Sequence, residues 1–442
     1  MRKPLLFVAP ATCLFLVFLG LYLRREQLAQ VPRPKFLRPD GEPRQAASTA
    51  VADEPSTATA TTRHETLPQE TRASYINSIM DPDADDPPRL HCPKLDPSRY
   101  QHLQIGNEEP VSTGIRYFFA LDLRQCLPLL PRLIGSVVEA IRFLGPEHCA
   151  LSIVEGNSDD GTGEVLAALR PNLEALGTTY YFSTSDINPK EADRIKRLAA
   201  LRNLAIQPIL DAARSAPNNE KKPTFSSNTT VVFLNDVAIC AEDILELAHQ
   251  RDHLGADMVC GMDWTYVGRD PTFYDVWVAR TLAGGDSFFE IPPDGSWDSA
   301  WNLFWNDGAA RARFRAHRPF QVFSCWNGAA VFSAAPLLEH AVRFRAPRQG
   351  ECYQGEPQLF CKDLWFYGYR RIAVVPAVNL EYSNEAGAKI KEAKGYTSRW
   401  VGAPGLEDDT IEWQKEPPEK IKCIPSYDKQ FFEVWNKTQP GT

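Results

Sequence analysis

An α/β fold, a mostly parallel sheet covered by helices, is what this sequence predicts, and two observations carry the prediction. From about Ser112 short apolar runs alternate with longer amphipathic stretches, the order that strands and their covering helices leave in a chain. The clearest unit is Thr230-Val-Val-Phe-Leu-Asn-Asp-Val-Ala-Ile-Cys-Ala-Glu-Asp-Ile-Leu-Glu-Leu247, an apolar run that stops at Asn235-Asp236 and restarts as a helix. In a parallel sheet the carboxyl ends of the strands border the crevice where ligands bind, so an acid at that point is a candidate ligand-handling group.

The elements follow in order. Gly114 to Asp122 reads as the first strand, and Leu127 to Leu144 as a helix whose inner face carries Leu130, Leu133, Ile134, Val137, Val138 and Ile141 before Gly145-Pro146 stops it. Ala150 to Glu155 is the second strand, with a polar turn and a helix through Val165, Leu166 and Leu169 behind it. Thr178 to Phe182, the helix Ala192 to Leu210, the strand Thr230 to Leu234 and the helix Glu242 to Arg251 complete four repeats. Ala256 to Gly261 is a fifth strand. Aromatic, Gly-rich loops then run from Asp263 to Trp326, and Arg371 to Leu380 is the last strand, following a helix that carries Asp363.

The beginning of the chain has a different character. Leu5 to Leu23 is almost wholly apolar, long enough to cross a bilayer as a helix, and Arg24-Arg25 closes it with no cleavage site, so residues 5–23 are expected to be an uncleaved transmembrane signal-anchor behind a short tail, residues 1–4, with the charges on its two flanks leaving its orientation open. Residues 24–90 are rich in Pro, Ala, Thr and charge with no sustained apolar period, which predicts a flexible stem. The catalytic domain is expected over residues 91–442. A net charge of −8 argues against a nucleic-acid partner, since phosphate-backbone binding draws on clustered Lys and Arg. Nine of the ten cysteines lie beyond the anchor without zinc-ligand spacing, and an odd number leaves at least one unpaired in a monomer. Cys352 and Cys361, which bracket Glu356, are candidates for a bridge. Asn228 and Asn436 head sequons and are candidate glycosylation sites.

Several segments hold candidate chemistry. Glu155-Gly-Asn-Ser-Asp-Asp-Gly-Thr162 follows a strand and opens a helix, so Glu155, Ser158, Asp160 and Gly161 either contact a nucleotide or form the helix cap and turn. Arg202 and Asn203 lie on an amphipathic helix, where a cation beside a metal-holding carboxylate neutralises a diphosphate leaving group. Six tryptophans, Trp264, Trp277, Trp297, Trp301, Trp305 and Trp326, fall in the aromatic loops and serve either as core or as plates for a sugar face. Trp326-Asn327-Gly328 joins an aromatic plate, an amide and a residue that permits close approach. Glu356 and Asp363, seven residues apart, would share one helix face, where a carboxylate can stabilise positive charge on a loosening glycosidic bond.

Phe233-Leu-Asn-Asp-Val237 resembles the DxD motif of GT-A glycosyltransferases, with Asp236 at its second acidic position and Leu234 at the first. The ordered series Phe118 to Arg124, Ser152 to Thr162, Leu201 to Leu204, Phe233 to Val237, Ala256 to Asp263, Tyr274 to Arg280 and Ser324 to Gly328 resembles the fungal, Cryptococcus-type α-1,3-mannosyltransferase and capsule-associated protein family. That resemblance implies a single GT-A (Rossmann-like) catalytic domain, luminal in the Golgi on a type II anchor. It further implies transfer of mannose from GDP-mannose, with retention, to a mannoside or polysaccharide acceptor in α-1,3 linkage, aided by Mn²⁺ or Mg²⁺. On this reading Asp236 holds the metal; Glu155, Ser158, Asp160, Gly161, Arg202, Asn203 and Asn235 serve the nucleotide sugar; Asp263, Trp264, Trp326 and Asn327 meet sugar or acceptor; and Asp363 and Glu356 are catalytic. The family's Ser-Glu-Cys segment is here Gly355-Glu356-Pro357. Together with Leu234, that departure leaves open another nucleotide sugar, such as a xylose donor, or a weakly active scaffold or export factor for capsule polysaccharide.

Overall fold

The computed structural model describes residues 66–105, 114–191, 193–214, 223–402 and 409–438. The expected tail, the anchor over residues 5–23 and the stem up to residue 65 lie outside the described residues. Among the described residues no helix is long and apolar enough to cross a membrane.

The stem expectation fails at its distal end. Gln69–Met80 is a helix, α1. Its Ser78 and Ile79 are buried, and Arg89 donates to the carbonyls of Ser78 and Pro131, fastening it to the body of the domain. Composition concealed this because α1 has almost no apolar stripe of its own. A few apolar anchors, Ile79 and Leu90 among them, suffice when a preformed surface receives them.

The strands are β1 (Tyr117–Leu123), β2 (Cys149–Glu155), β3 (Thr179–Thr184), β4 (Thr230–Leu234), β5 (Met258–Val267), β6 (Asp270–Phe273), β7 (Arg280–Thr281), β8 (Phe320–Ser324), β9 (Ala329–Ser333), β10 (Ile372–Leu380), β11 (Lys420–Ser426) and β12 (Lys429–Val434). The helices after α1 are α2 (Leu130–Leu144), α3 (Thr162–Ala168), α4 (Arg170–Leu176), α5 (Arg194–Arg214), α6 (Ala241–His253), α7 (Gly308–Arg315), α8 (Ala335–Glu339), α9 (Glu356–Phe366), α10 (Asn384–Lys394) and α11 (Thr397–Val401). One large sheet runs in the order β3-β2-β1-β4-β9-β5-β10-β8-β7, with β6 hydrogen-bonded to β5, while β11 and β12 form a separate hairpin.

The sheet is mixed rather than parallel throughout. β1 to β4 are mutually parallel and β5 is parallel to β10, but β9 runs antiparallel to both β4 and β5, and β8 antiparallel to β10. Two reversals at β9 restore direction, so the carboxyl ends of β1, β2, β3, β4, β5 and β10 all emerge at one edge. The chain runs outward from β1 through β2 to β3 and then returns to place β4 on the other side of β1, which makes the β1/β4 boundary the switch point. β10 bulges against β5 between Val374 and Asn379, and Pro376, which has no N–H to give a ladder, sits inside that bulge.

Two apolar layers cover the sheet. On one face Leu130, Leu133, Ile134, Val137, Val138 and Ile141 of α2 pack with Ile244, Leu245 and Leu247 of α6 against Leu121, Val232 and Val331. On the other face Leu201, Ala205, Ile206 and Ile209 of α5 meet Phe118, Val231 and Phe233, continuous with an aromatic cluster of Phe288, Phe304, Phe320 and Trp365. Three disulfides tie distant segments: Cys92–Cys240, Cys260–Cys325 and Cys352–Cys423. Cys352 therefore does not bridge Cys361, whose thiol is buried beside Met258 and donates to the Cys325 carbonyl. Both sequon asparagines, Asn228 and Asn436, are exposed.

A buried ion pair joins α10 to α6. Lys391 Nζ lies 2.6 Å from Asp243 Oδ2, and Asp243 also accepts from the Cys240 N–H and from Thr397 Oγ1, with both charged side chains 1% exposed. Removing one partner strands the other charge in an apolar setting. Lys391→Ala is therefore expected to cost about 3–5 kcal/mol, read by denaturant unfolding, and Lys391→Met combined with Asp243→Asn is expected to cost less than Lys391→Ala alone.

Candidate active site at the carboxyl edge of the sheet

Acidic side chains crowd the edge where the parallel strands end. Asp122 is near the end of β1, Glu155 ends β2, Asn235-Asp236 follow β4, Asp263 lies in β5 and Tyr382 follows β10. The pairing of Leu121 with Leu234 sets Asp122 level with Asn235, so the switch point is flanked by Asp122 on one strand and Asp236 on the next. Leu234, at the motif's first acidic position, is fully buried in the layer under α2 and α6. Alternation along the strand puts its side chain on the same face as Val232, packed within that layer.

Arg202, from α5, is the cation of this edge. Its Nε donates to Glu356 Oε1 at 2.8 Å, Nη1 donates to Asn235 Oδ1 at 3.3 Å and lies 3.9 Å from Asp122 Oδ1. The guanidinium is stacked 4.7 Å from the Trp326 ring centroid and 5.3 Å from that of Phe233. Burial works against its charge, yet Asp122 and Glu356 hold its pKa above the ordinary value. Glu356 reaches Arg202 because it opens α9, with Pro357 in the first turn where a missing N–H leaves no bond unmade.

The acids around this cation are buried, and burial first of all raises their pKa values. Burial pushes Asp236 up to about 6, and Asp122 adds to the shift while Arg202 opposes it. Burial raises Asp122 to about 6 as well, against the pull of Arg202. Asp275, in the loop before β7, is raised to about 6 by burial although it accepts the Asn327 N–H at 3.0 Å. Asp263 is held well above the carboxylate range by burial and then by Asp275; its Oδ2 accepts from Tyr382 Oη at 2.6 Å.

The structure separates the other residues picked out by sequence. Asp363 does not face the site: Arg345 binds it in a two-pronged pair at 2.7 and 2.8 Å and also holds Glu351, so its position on α9 serves a salt-bridge network. Trp264 and Trp326 are each 1% exposed and offer no free face to a sugar. Trp264 donates to Asn379 Oδ1 beneath Lys394, and Trp326 donates to Asn235 Oδ1 while backing Arg202. Asn327 is fully buried at a φ of 53°, its Nδ2 donating to the Gly261 carbonyl, so it shapes the β8–β9 turn. Asn203 exchanges two hydrogen bonds with the Phe344 backbone and is likewise occupied. Glu155 accepts from the Ser158 N–H, Asp160 accepts from Leu127 and Thr162 N–H groups, and Gly161 has a φ of 93°. These three build the loop beside β1, tied to the segment after that strand by the Cys126 N–H on Thr162 Oγ1 and the Leu127 N–H on Asp160.

Sequence reading passed over Asp122, Asp275, Tyr274 and Tyr382. Asp122 carried the same signal as Asp236, an acid closing an apolar run, whereas Asp275 and Tyr274 sit in an irregular loop with no period to mark them.

Comparison with known proteins fits this arrangement. The family model for cryptococcal mannosyltransferase 1 matches residues 116–363, a span that holds Asp122, Arg202, Asp236, Asp263, Asp275 and Glu356. The α-1,3-mannosyltransferase CMT1 of Cryptococcus neoformans var. neoformans serotype D is 34% identical over 374 residues, covering 81% of this chain and 78% of that protein. The chain belongs to the cryptococcal mannosyltransferase 1 family. This family member is thereby a glycosyltransferase. Among solved structures, a mannosyltransferase from Pyrobaculum calidifontis in complex with GDP-Man and Mn²⁺ aligns at 13% identity and TM-score 0.34 over 71% of this chain and 65% of its own. S. aureus TarS 1-349 aligns at 12% identity and TM-score 0.33 over 66% and 67%. At such scores neither neighbour carries an argument, and the mixed α/β architecture stands on the strand order itself.

The raised carboxyls give a pH dependence with a definite sign. Asp236 binds its proton more tightly folded, at about 6, than at the ordinary 3.8, so the folded enzyme loses stability as pH rises through that interval. Without added cation or nucleotide, Asp236→Asn is expected to melt with wild type near pH 4 and above it at pH 7, in paired thermal scans.

Proposed function

We propose that this glycosyltransferase transfers mannose from GDP-mannose to a mannose-containing acceptor in α-1,3 linkage, with retention and with help from a divalent cation. The observation that carries the reading is the crowd of carboxyls around one guanidinium at the β1/β4 switch point, in a chain 34% identical to an α-1,3-mannosyltransferase over most of its length.

A diphosphate adds negative charge to an edge that already holds Asp122, Asp236, Asp275 and Glu356 against Arg202, so a counter-cation is needed there. The available donors are all oxygen atoms, which suits a hard ion such as Mn²⁺ or Mg²⁺. Among the described residues no group of three or more His, Cys, Asp or Glu side chains is assembled to hold a metal. Asp236, with Asp122 beside it, would hold the ion jointly with the nucleotide's own phosphates. When bound, such an ion offsets charge on the departing diphosphate.

The chain's own residues do the remaining work. Arg202, pinned by Glu356, Asn235 and the Trp326 face, presents a preorganised positive charge to the leaving group without a reorganisation cost. Asp275 and Glu356 lie where positive charge developing on the sugar would be favoured electrostatically. The loop from Glu155 to Gly161 flanks β1 on the side away from Asp263 and would receive the nucleoside.

The setting proposed for this activity is the Golgi lumen, with residues 5–23 as a type II anchor and with a mannoside or polysaccharide of capsule type as acceptor. The apolar run at 5–23 and the exposed Asn228 and Asn436 support that placement.

The test is to incubate purified full-length protein with GDP-mannose, GDP-xylose, UDP-xylose and other nucleotide sugars, with and without Mn²⁺. GDP-mannose is expected to be consumed selectively and only with the cation. Asp236→Ala is expected to lower that turnover by about 100-fold or more, the scale of losing a preorganised electrostatic partner. Preference for another donor, or full metal-dependent transfer by a folded Asp236→Ala enzyme, would overturn the assignment.

A further inference from the structure

We propose that Asp263, supported by Asp275 and Tyr382 and covered by Tyr274, is the subsite that recognises the hydroxyl groups of the donor's sugar ring. The proposal rests on the reading of this edge as a nucleotide-sugar site and adds to it the place and chemistry of sugar recognition.

The first observation is an unmade hydrogen bond. Asp263 is 0% exposed; Oδ2 is taken by Tyr382, while Oδ1 has no partner among the described residues. A buried polar atom left unpaired destabilises the fold, and such atoms persist where a ligand completes them. Asp275 is brought to this strand by Asn327, whose N–H it accepts at 3.0 Å while the Asn327 amide donates to the Gly261 carbonyl two residues before Asp263, and after burial its charge is the main influence raising Asp263. Two adjacent buried carboxyls share a proton rather than both ionise, and a carboxyl beside a carboxylate offers one donor and several acceptors. A sugar hydroxyl, which both donates and accepts, is complementary to that pair. A phosphate, whose ionised oxygens only accept, is not.

The second observation is position. From β4 to β5 is two strand spacings, about 10 Å, across β9. A diphosphate at Asp236 therefore leaves its sugar near Asp263, and the nucleoside extends the other way toward β1 and β2. The strand order lays out nucleoside, diphosphate and sugar along one edge.

The third is the wall of the subsite. Tyr274 is 45% exposed, its ring centroid lies 5.1 Å from that of Tyr382, and its N–H donates to the Asp263 carbonyl at 3.1 Å. The ring beside Asp263 offers an aromatic face to the apolar face of a pyranose. The back wall is fixed: the Asn327 N–H holds Asp275, Cys260–Cys325 staples β5 to the end of β8, and a Cβ on Gly328 would lie 3.4 Å from the Asp263 Cβ and 3.0 Å from Val237.

Calorimetric titration of the full-length protein with GDP and with GDP-mannose, both with Mn²⁺, tests the proposal in wild type, Asp263→Asn and Tyr274→Ala. Asp263→Asn keeps the size of the side chain, and Tyr274 is exposed enough for its truncation to leave the fold intact. GDP is expected to bind all three within about twofold, whereas the affinity for GDP-mannose is expected to fall by about tenfold or more in each variant, the size of one buried hydrogen bond to a charged group. Equal loss for GDP and GDP-mannose, or no loss for either, would overturn the sugar subsite while leaving the nucleotide-sugar reading in place. A wild-type protein that binds neither ligand would overturn that reading and this proposal with it. If Asp263→Asn does not fold, Tyr274→Ala decides by the same comparison.

Discussion

Unbalanced negative charge at one edge of the sheet is the constraint around which this molecule is arranged. Arg202 is held among Asp122, Glu356 and Asp275, and none of those acids is matched singly with a cation of its own there. An isolated folded chain bears the burial of these acids, and to a lesser degree their mutual repulsion, as raised carboxyl pKa values, a cost that the rest of the fold must cover. The aromatic faces of Trp326, Phe233 and Phe344 surround the guanidinium and exclude water, which strengthens every charge interaction made inside. Perturbed buried carboxyls grouped in this way mark a candidate functional site.

The reversed strand β9 sets the width of the edge. Had β5 paired directly with β4, Asp236 and Asp263 would stand one strand spacing apart, about 5 Å, too close for the diphosphate and sugar ring of the proposed donor. Inserting one antiparallel strand doubles the separation without changing the direction of either neighbour. The turn Trp326-Asn327-Gly328 that feeds β9 then has to fold under the site, and its Asn327 and Gly328 adopt positive φ to do so.

Much of the architecture was legible in the chain, because the strands of a sheet buried on both faces read as apolar runs and the helices covering them carry an apolar period. β4 runs over Thr230–Leu234, the span its apolar run marked. β9 escaped notice since Ala329-Ala-Val-Phe-Ser333 is short and sits directly behind a turn that drew the eye as a ligand contact. The site was legible only in part. An acid that ends an apolar run declares its place along the strand, as Asp236 did, but a charge on a helix declares only its face. Asp363 shares a helix with Glu356, and nothing local shows that Arg345 reaches one and Arg202 the other. Burial of individual tryptophans is likewise a property of the packed whole, so Trp264 and Trp326 could not be told from the exposed Trp301 by composition.

The cysteines carry a consequence for how this chain is made. Cys92 pairs with Cys240, 148 residues farther on, while Cys126 and Cys149 follow it first and remain free and buried in the finished fold. During synthesis from the amino end, the thiols nearest to Cys92 are therefore both wrong partners. Native pairing has to wait until α6, whose amino end carries Cys240, docks against α2, or else early mismatched bridges have to be exchanged. Sheet assembly thus comes before covalent closure, and a cell that oxidises this chain quickly without reshuffling its disulfides will accumulate trapped forms.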